Sequence, residues 1–183
     1  MKMSDLREKT IRTEQIYDGK IIRVQVDDVE LPNGNRAKRE IVRHSGAVAV
    51  IAITSEGRMV FVRQFRKPLD QTILEIPAGR LEAGEDPADC AKREMIEETG
   101  YRAEQMKFVT KFYTSPGFAD ELLYIYEGVS LTKGEAQPDQ DEFVELVELT
   151  LDEAFERIEA GEIIDAKTIL AVYHWQNQQL KQG

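Results

Sequence analysis

The sequence predicts an α+β fold, an α/β/α sandwich around a mixed β-sheet with antiparallel strands added at the N-terminus. Three observations carry this. Short apolar or alternating segments dominate the first half, one strongly signalled helix stands at the centre, and two more helical patterns close the chain. No segment repeats internally. The expected division is an N-terminal strand region over residues 1–45 and a main domain over 46–183.

The elements follow in order. "KIIRVQVDDVEL", "PNGN" and "RAKREIVRH" predict a hairpin around Asn33-Gly34. "AVAVIAIT", "SEGR" and "MVFVRQFR" predict a second hairpin with a more continuous apolar strand. After "TILEIPAG" a helix begins, with Asp86 as N-cap, Pro87 at its first position and Asp89 in its first turn. Gly100 is suited to end it in the left-handed conformation. "MKFVTKFY" and "LLYIYEGV" read as strands flanking the loop "TSPGFADE", and "EFVELVEL" reads as another. "LDEAFERIEAG" and "DAKTILAVYHWQNQQLKQ" read as helices, the second opened by Asp165.

At 183 residues the chain can bury a core without disulfides or structural metal. Its lone Cys90 cannot form an internal disulfide, which suits a reducing compartment. "MKMSDLREKT" has no apolar targeting region and no later run is long enough to span a bilayer, so the expected location is cytoplasmic. A net charge of −10 argues against general binding to nucleic acid or anionic membrane. The charge is uneven, however. Residues 36–67 hold eight basic side chains against Glu40 and Glu56, which suits a small anionic ligand or, equally, a charged strand edge.

"GRLEAGEDPADCAKREMIEETGY" gathers Glu82, Glu85, Glu94, Glu97 and Glu98 with Asp86 and Asp89. At about 100° per residue, Ala88, Ala91, Met95 and Thr99 share an apolar side of the helix. Glu94, Glu97 and Glu98 share the other, since residues three and four apart are neighbours. Three carboxylates on one face offer the hard oxygen ligands that Mg²⁺ or Mn²⁺ prefers. A solvated acidic face is the competing reading of that spacing alone.

The fuller spacing, Gly79, Glu85, Arg93, Glu94, Glu97, Glu98 and Gly100, resembles the Nudix box, G-x5-E-x7-R-E-U-x-E-E-x-G-U, at every fixed position. Met95 and Tyr101 are slightly loose at its apolar positions. The resemblance implies a Nudix-type sandwich and metal-dependent hydrolysis of a nucleoside diphosphate linked to another group. It implies Glu94, Glu97, Glu98 and the backbone carbonyl of Ala78 as metal ligands, with Glu97 and Glu98 foremost. Arg93 and Glu85 would orient the helix and its loop.

Pro116, sixteen residues after Gly100, together with "LPNG", "KREIV", "GAVAV" and "QFR", is similar to bacterial ADP-ribose pyrophosphatases. That resemblance implies AMP and ribose 5-phosphate as products and an N-terminal strand region that dimerises. It implies Arg39 and Glu40 at the adenine end, Tyr17 as a stacking partner and Arg66 at phosphate or ribose. The residue that activates or orients water would come from "QPDQDEF", with Glu142 and Asp141 foremost and Asp139 beside them, and Glu121, after the "SPGF" turn, is a further candidate. Another nucleoside diphosphate sugar such as GDP-mannose, or a sensor that binds without cleaving, is the alternative. His44, His174, Tyr173 and Trp175 are expected to be structural, and the neighbouring carboxylates should raise rather than lower the pKa of Cys90.

Overall fold

The computed structural model describes residues 5–136 and 143–182, so Asp139, Asp141 and Glu142 lie outside the described residues. The chain forms two compact units, one of residues 1–46 with 112–122 and the other of 47–111 with 123–183.

The first unit is built on a three-stranded antiparallel sheet in the order β1-β2-β3, from β1 (Lys9–Asp18), β2 (Ile22–Glu30) and β3 (Arg36–His44). The predicted turn closes β2 onto β3. Leu31 donates its N–H to the Asn35 carbonyl at 2.8 Å, and Gly34 takes φ 84°, where a Cβ would be strained. Charges face their opposites across these strands, Asp27 beside Arg39, Asp28 beside Lys38 and Glu30 beside Arg36. The loop carrying Pro116 zips along β3. Val42 donates to the Phe118 carbonyl at 2.8 Å, and Asp120 donates back to the Val42 carbonyl at 3.1 Å. The Asp120 carboxylate then accepts from the His44 N–H at 2.8 Å and from Arg43 Nη1 at 3.0 Å.

Strand β1 is absent from the sequence reading. Every one of its residues is exposed, so "KTIRTEQIYD" has no buried face to impose an alternating pattern. Bulges at Thr10/Arg12 and Gln15/Tyr17 blur its period further.

The second unit holds two sheets. Strands β7 (Ala78–Arg80), β4 (Ala47–Ala52), β9 (Leu122–Lys133) and β8 (Tyr101–Tyr113) form one in the order β7-β4-β9-β8. It is mixed, with β4 parallel to β9 and antiparallel to β7. Strands β10 (Val144–Leu149), β5 (Met59–Arg66) and β6 (Gln71–Glu75) form an antiparallel sheet in the order β10-β5-β6. Helices α1 (Pro87–Thr99), α2 (Leu151–Glu159) and α3 (Ala166–Gln182) complete the unit.

The expected second hairpin is corrected here. Its turn exists, with Thr54 donating to the Arg58 carbonyl at 2.8 Å and a single bridge between Ile53 and Met59. Beyond that bridge β4 and β5 part into different sheets. The apolar runs of both strands reflect burial, not pairing: all six residues of β4 and the first four of β5 are buried.

Val48, Val50 and Ala52 of β4 share one core cluster with Ala91 and Met95 of α1 and with Tyr101 and Tyr126. The apolar side of α1 is thus spent on the sheet, at roughly 1.5–3 kcal/mol per large side chain buried. Trp175 belongs to the core at 3% exposure. Tyr173 is exposed and packs edge-to-face on Phe155 with ring centroids 5.3 Å apart.

Candidate active site

The loop and helix from Gly79 to Gly100 fold as their sequence dictates. Asp86 adopts extended backbone and its carboxylate accepts the Ala88 N–H at 2.8 Å, leaving Pro87 to open α1 without an unmet donor. Gly100, at φ 73°, donates to the Ile96 carbonyl and ends the helix. This holds the four charged residues Arg93, Glu94, Glu97 and Glu98 on consecutive turns.

Arg93 organises three of the acids. Its Nε and Nη2 meet the two oxygens of Glu85 at 2.9 and 3.1 Å, while Nη1 reaches Glu94 at 2.7 Å and Glu97 at 3.0 Å. One arginine therefore spans the loop and a full helical turn, a geometry a lysine could not reproduce. Arg93, helped by the Glu82 N–H, holds the Glu85 carboxyl down to about 2. Glu85 in turn fixes Arg93 in its protonated form. Burial first, and Glu85 second, push the Cys90 thiol up to about 12, so it stays an inert thiol at neutral pH.

Glu98 points elsewhere: its Oε2 accepts the Ala78 N–H at 3.0 Å, tying α1 to β7. Glu94 and Glu98 are 9% and 5% exposed, well inside the range that carboxylates avoid unless paired. Gly79 makes room for this. A Cβ built there would lie 1.8 Å from the Glu94 carboxyl carbon, so Glu94 occupies space that only glycine leaves. Among the described residues no three His, Cys, Asp or Glu side chains are gathered into a metal cluster. The three glutamates share a face, with Glu94 and Glu97 both held by Arg93 and Glu98 by the Ala78 N–H. The donor set, hard oxygens on a capped helix beside the Gly79 cradle, fits a divalent cation of the Mg²⁺ type.

A family model for the NUDIX domain matches residues 24–172, which include this whole arrangement. The chain belongs to the NUDIX family. It is 59% identical to the methanol dehydrogenase activator of Bacillus methanolicus over 94% of both chains. It is 52% identical to the ADP-ribose pyrophosphatase of Bacillus subtilis (strain 168) over 99% of both. The GDP-mannose pyrophosphatase of Cronobacter sakazakii is 36% identical, covering 77% of this chain and 78% of that protein. A crystal structure of an ADP compounds hydrolase superposes with a TM-score of 0.85 over 97% of this chain and 96% of the other, at 20% identity, which establishes the shared fold.

The remaining residues of the NUDIX reading are placed as follows. Arg66, at the end of β5, grips Glu75 through Nε at 2.6 Å and Nη2 at 2.8 Å. Arg39 is held by Glu8 at 2.9 and 2.6 Å, and Glu40 beside it is exposed. Tyr17 is exposed, its ring lying over Gly19, where a Cβ would come within 2.4 Å. Pro116 is exposed in its loop, and Glu121 accepts from the Thr114 hydroxyl at 2.6 Å. Tyr17, Arg39, Glu40 and Pro116 thus belong to the first unit, and Ala78, Arg66 and the box glutamates to the second.

Sequence reasoning passed over Glu75. The available signal was a single charge inside the otherwise apolar run "TILEIPAG", a pattern that marks a buried and paired group.

Proposed function

We propose that this NUDIX protein hydrolyses the diphosphate bond of ADP-ribose, yielding AMP and ribose 5-phosphate, with a divalent cation as cofactor. The observation that carries the proposal is the complete acidic box on a capped, buried helix, in a chain 52% identical over nearly its whole length to an ADP-ribose pyrophosphatase.

In this reading Glu94, Glu97, Glu98 and the Ala78 carbonyl hold Mg²⁺ or Mn²⁺. When bound, such an ion supplies charge neutralisation for the diphosphate and acidifies an attacking water. The chain's own groups do the rest. Arg93 restrains Glu94 and Glu97 on one face, where they would hold the cation, while Glu98 keeps β7 and its Ala78 carbonyl in register with α1. Arg66 binds phosphate through its charged fork. Tyr17, Arg39, Glu40 and Pro116 bind the nucleoside side of the substrate. Asp141 or Glu142 takes the proton from water, and Glu142→Gln with Asp141→Asn tests that assignment by loss of kcat at unchanged KM.

The strand region over residues 1–45 serves dimerisation. The supporting feature is β1, an exposed strand at the edge of its sheet that leaves Ile11, Ile16 and Tyr17 at 46%, 56% and 57% exposure. Among the described residues no helix is long and apolar enough to cross a membrane, and the proposed location is the cytoplasm.

Substrate profiling against ADP-ribose, GDP-mannose and NADH tests the specificity. A preference for either of the last two overturns it. A second reading rests on the 59% relative and its printed activity, activation of methanol dehydrogenase. Addition of this protein to a methanol dehydrogenase assay, with Glu97→Gln as control, tells whether any stimulation needs the hydrolytic site.

A further inference from the structure

Glu75, at 2% exposure, is the most deeply buried carboxylate among the described residues. Two cations share it. Arg66 binds it side-on through Nε and Nη2, and Lys167, in the first turn of α3, donates from Nζ to Glu75 Oε2. Lys167 also meets Asp165 Oδ1 at 2.9 Å. Asp165 caps α3 by accepting the Thr168 N–H at 3.2 Å. The Lys167 side chain is only 15% exposed, unusual for a residue that normally keeps its ammonium in water.

This geometry does two things to Arg66. It fixes the plane of the guanidinium, because both of its bonds to Glu75 come from one edge, and no hydrogen bond among the described residues engages Nη1. It also divides the charge of Glu75 between two cations, so that Arg66 retains positive charge for an anion. The same turn of α3 grips the backbone next to Glu75. The Thr168 hydroxyl accepts the Ile76 N–H at 3.0 Å, and two residues on Ala78 is held by Glu98. Consecutive residues of α3 thereby anchor Glu75 and Ile76, and α1 anchors Ala78, in the segment that leads into the box.

We infer that Lys167 is a positioning residue for substrate: by sharing Glu75 it presets the Arg66 fork toward the diphosphate of the ligand. The inference rests on the proposed contact between Arg66 and the diphosphate. Lys167→Met is the informative substitution, since Glu75 keeps Arg66 and the methionine keeps the aliphatic stem. Glu75→Gln is avoided because it would leave two partly buried cations facing a neutral group.

The measurement is calorimetric affinity for a non-hydrolysable ADP-ribose analogue in Mg²⁺, with steady-state kinetics on ADP-ribose. Lys167→Met is expected to raise Kd and KM about tenfold while kcat changes less than about threefold. Lys167→Arg, which restores the charge, should return Kd to within about threefold of the parent. The double variant Arg66→Ala/Lys167→Met should bind no more weakly than Arg66→Ala alone, since the lysine acts through the arginine. An unchanged Kd in Lys167→Met beside a weakened Arg66→Ala overturns the positioning role and leaves the Arg66 contact standing. Additive losses in the double variant overturn it too. An unchanged Kd in Arg66→Ala removes the contact itself, and the inference with it.

Discussion

The box helix and the N-terminal sheet handle charge in opposite ways. On β2 and β3, acids stand opposite bases across the strands, and of the six side chains so matched three are exposed and Asp27 is buried. Such pairs blunt a surface and contribute little to stability. On α1, like charges stand together at helical spacing, two of the three glutamates are buried, and one arginine must serve Glu85, Glu94 and Glu97 at once. Burying like charges costs stability, so their retention points to a task beyond folding. The sheet exposes its apolar residues instead, at Ile11, Ile16 and Tyr17. One region concentrates chemistry, and the other offers a surface.

Breaking the first region should have the largest effect. Glu98→Gln keeps an acceptor for the Ala78 N–H but removes a charge from the proposed cation site, and kcat is expected to fall by about three orders of magnitude with the fold intact by circular dichroism. Gly79→Ala places a methyl where the Glu94 carboxylate sits, and should cost about 10²-fold in kcat/KM by displacing that side chain.

Arg93→Met sharpens the contrast through stability. Losing the shared ion pairs is expected to cost about 2 kcal/mol, measured by urea unfolding, tempered by the partial exposure of the arginine. Its acid dependence has a defined sign. The Glu85 carboxyl is depressed from 4.5 to about 2 in the folded protein, so its contribution is present above 4.5 and lost as pH falls through about 2. The parent should lose stability across that window more steeply than Arg93→Met.

The smallest effect on activity is expected from Ile16→Asp on β1. Monomer stability should stay within about 0.5 kcal/mol, as for an exposed site, while sedimentation shifts toward the monomer. An unshifted sedimentation profile that is already dimeric would place the dimer contact elsewhere.

The same contrast explains what could be read in advance. The geometry of the box depends on spacing within one helix and its loop, with Asp86, Pro87 and Gly100 marking its ends, so the acidic face and the buried Ala91–Met95 side were legible. The parting of β4 from β5 was not, because a buried apolar run reads the same whether its neighbour in sequence pairs with it or not. Strand β1 was hidden by its exposure, and the Glu75–Lys167 pair by the 92 residues that separate its members in sequence. The resemblance placed Arg66 at phosphate or ribose. In the structure it is first a partner of Glu75, and any phosphate contact is built on that pairing.

The most direct test of the hydrolytic assignment is turnover of ADP-ribose followed by phosphorus NMR, in Mg²⁺ and again in excess EDTA. The account expects AMP and ribose 5-phosphate in equal amounts with Mg²⁺, and neither product in EDTA or with Glu97→Gln. Hydrolysis that persists in EDTA, or that survives Glu97→Gln unchanged, would contradict it.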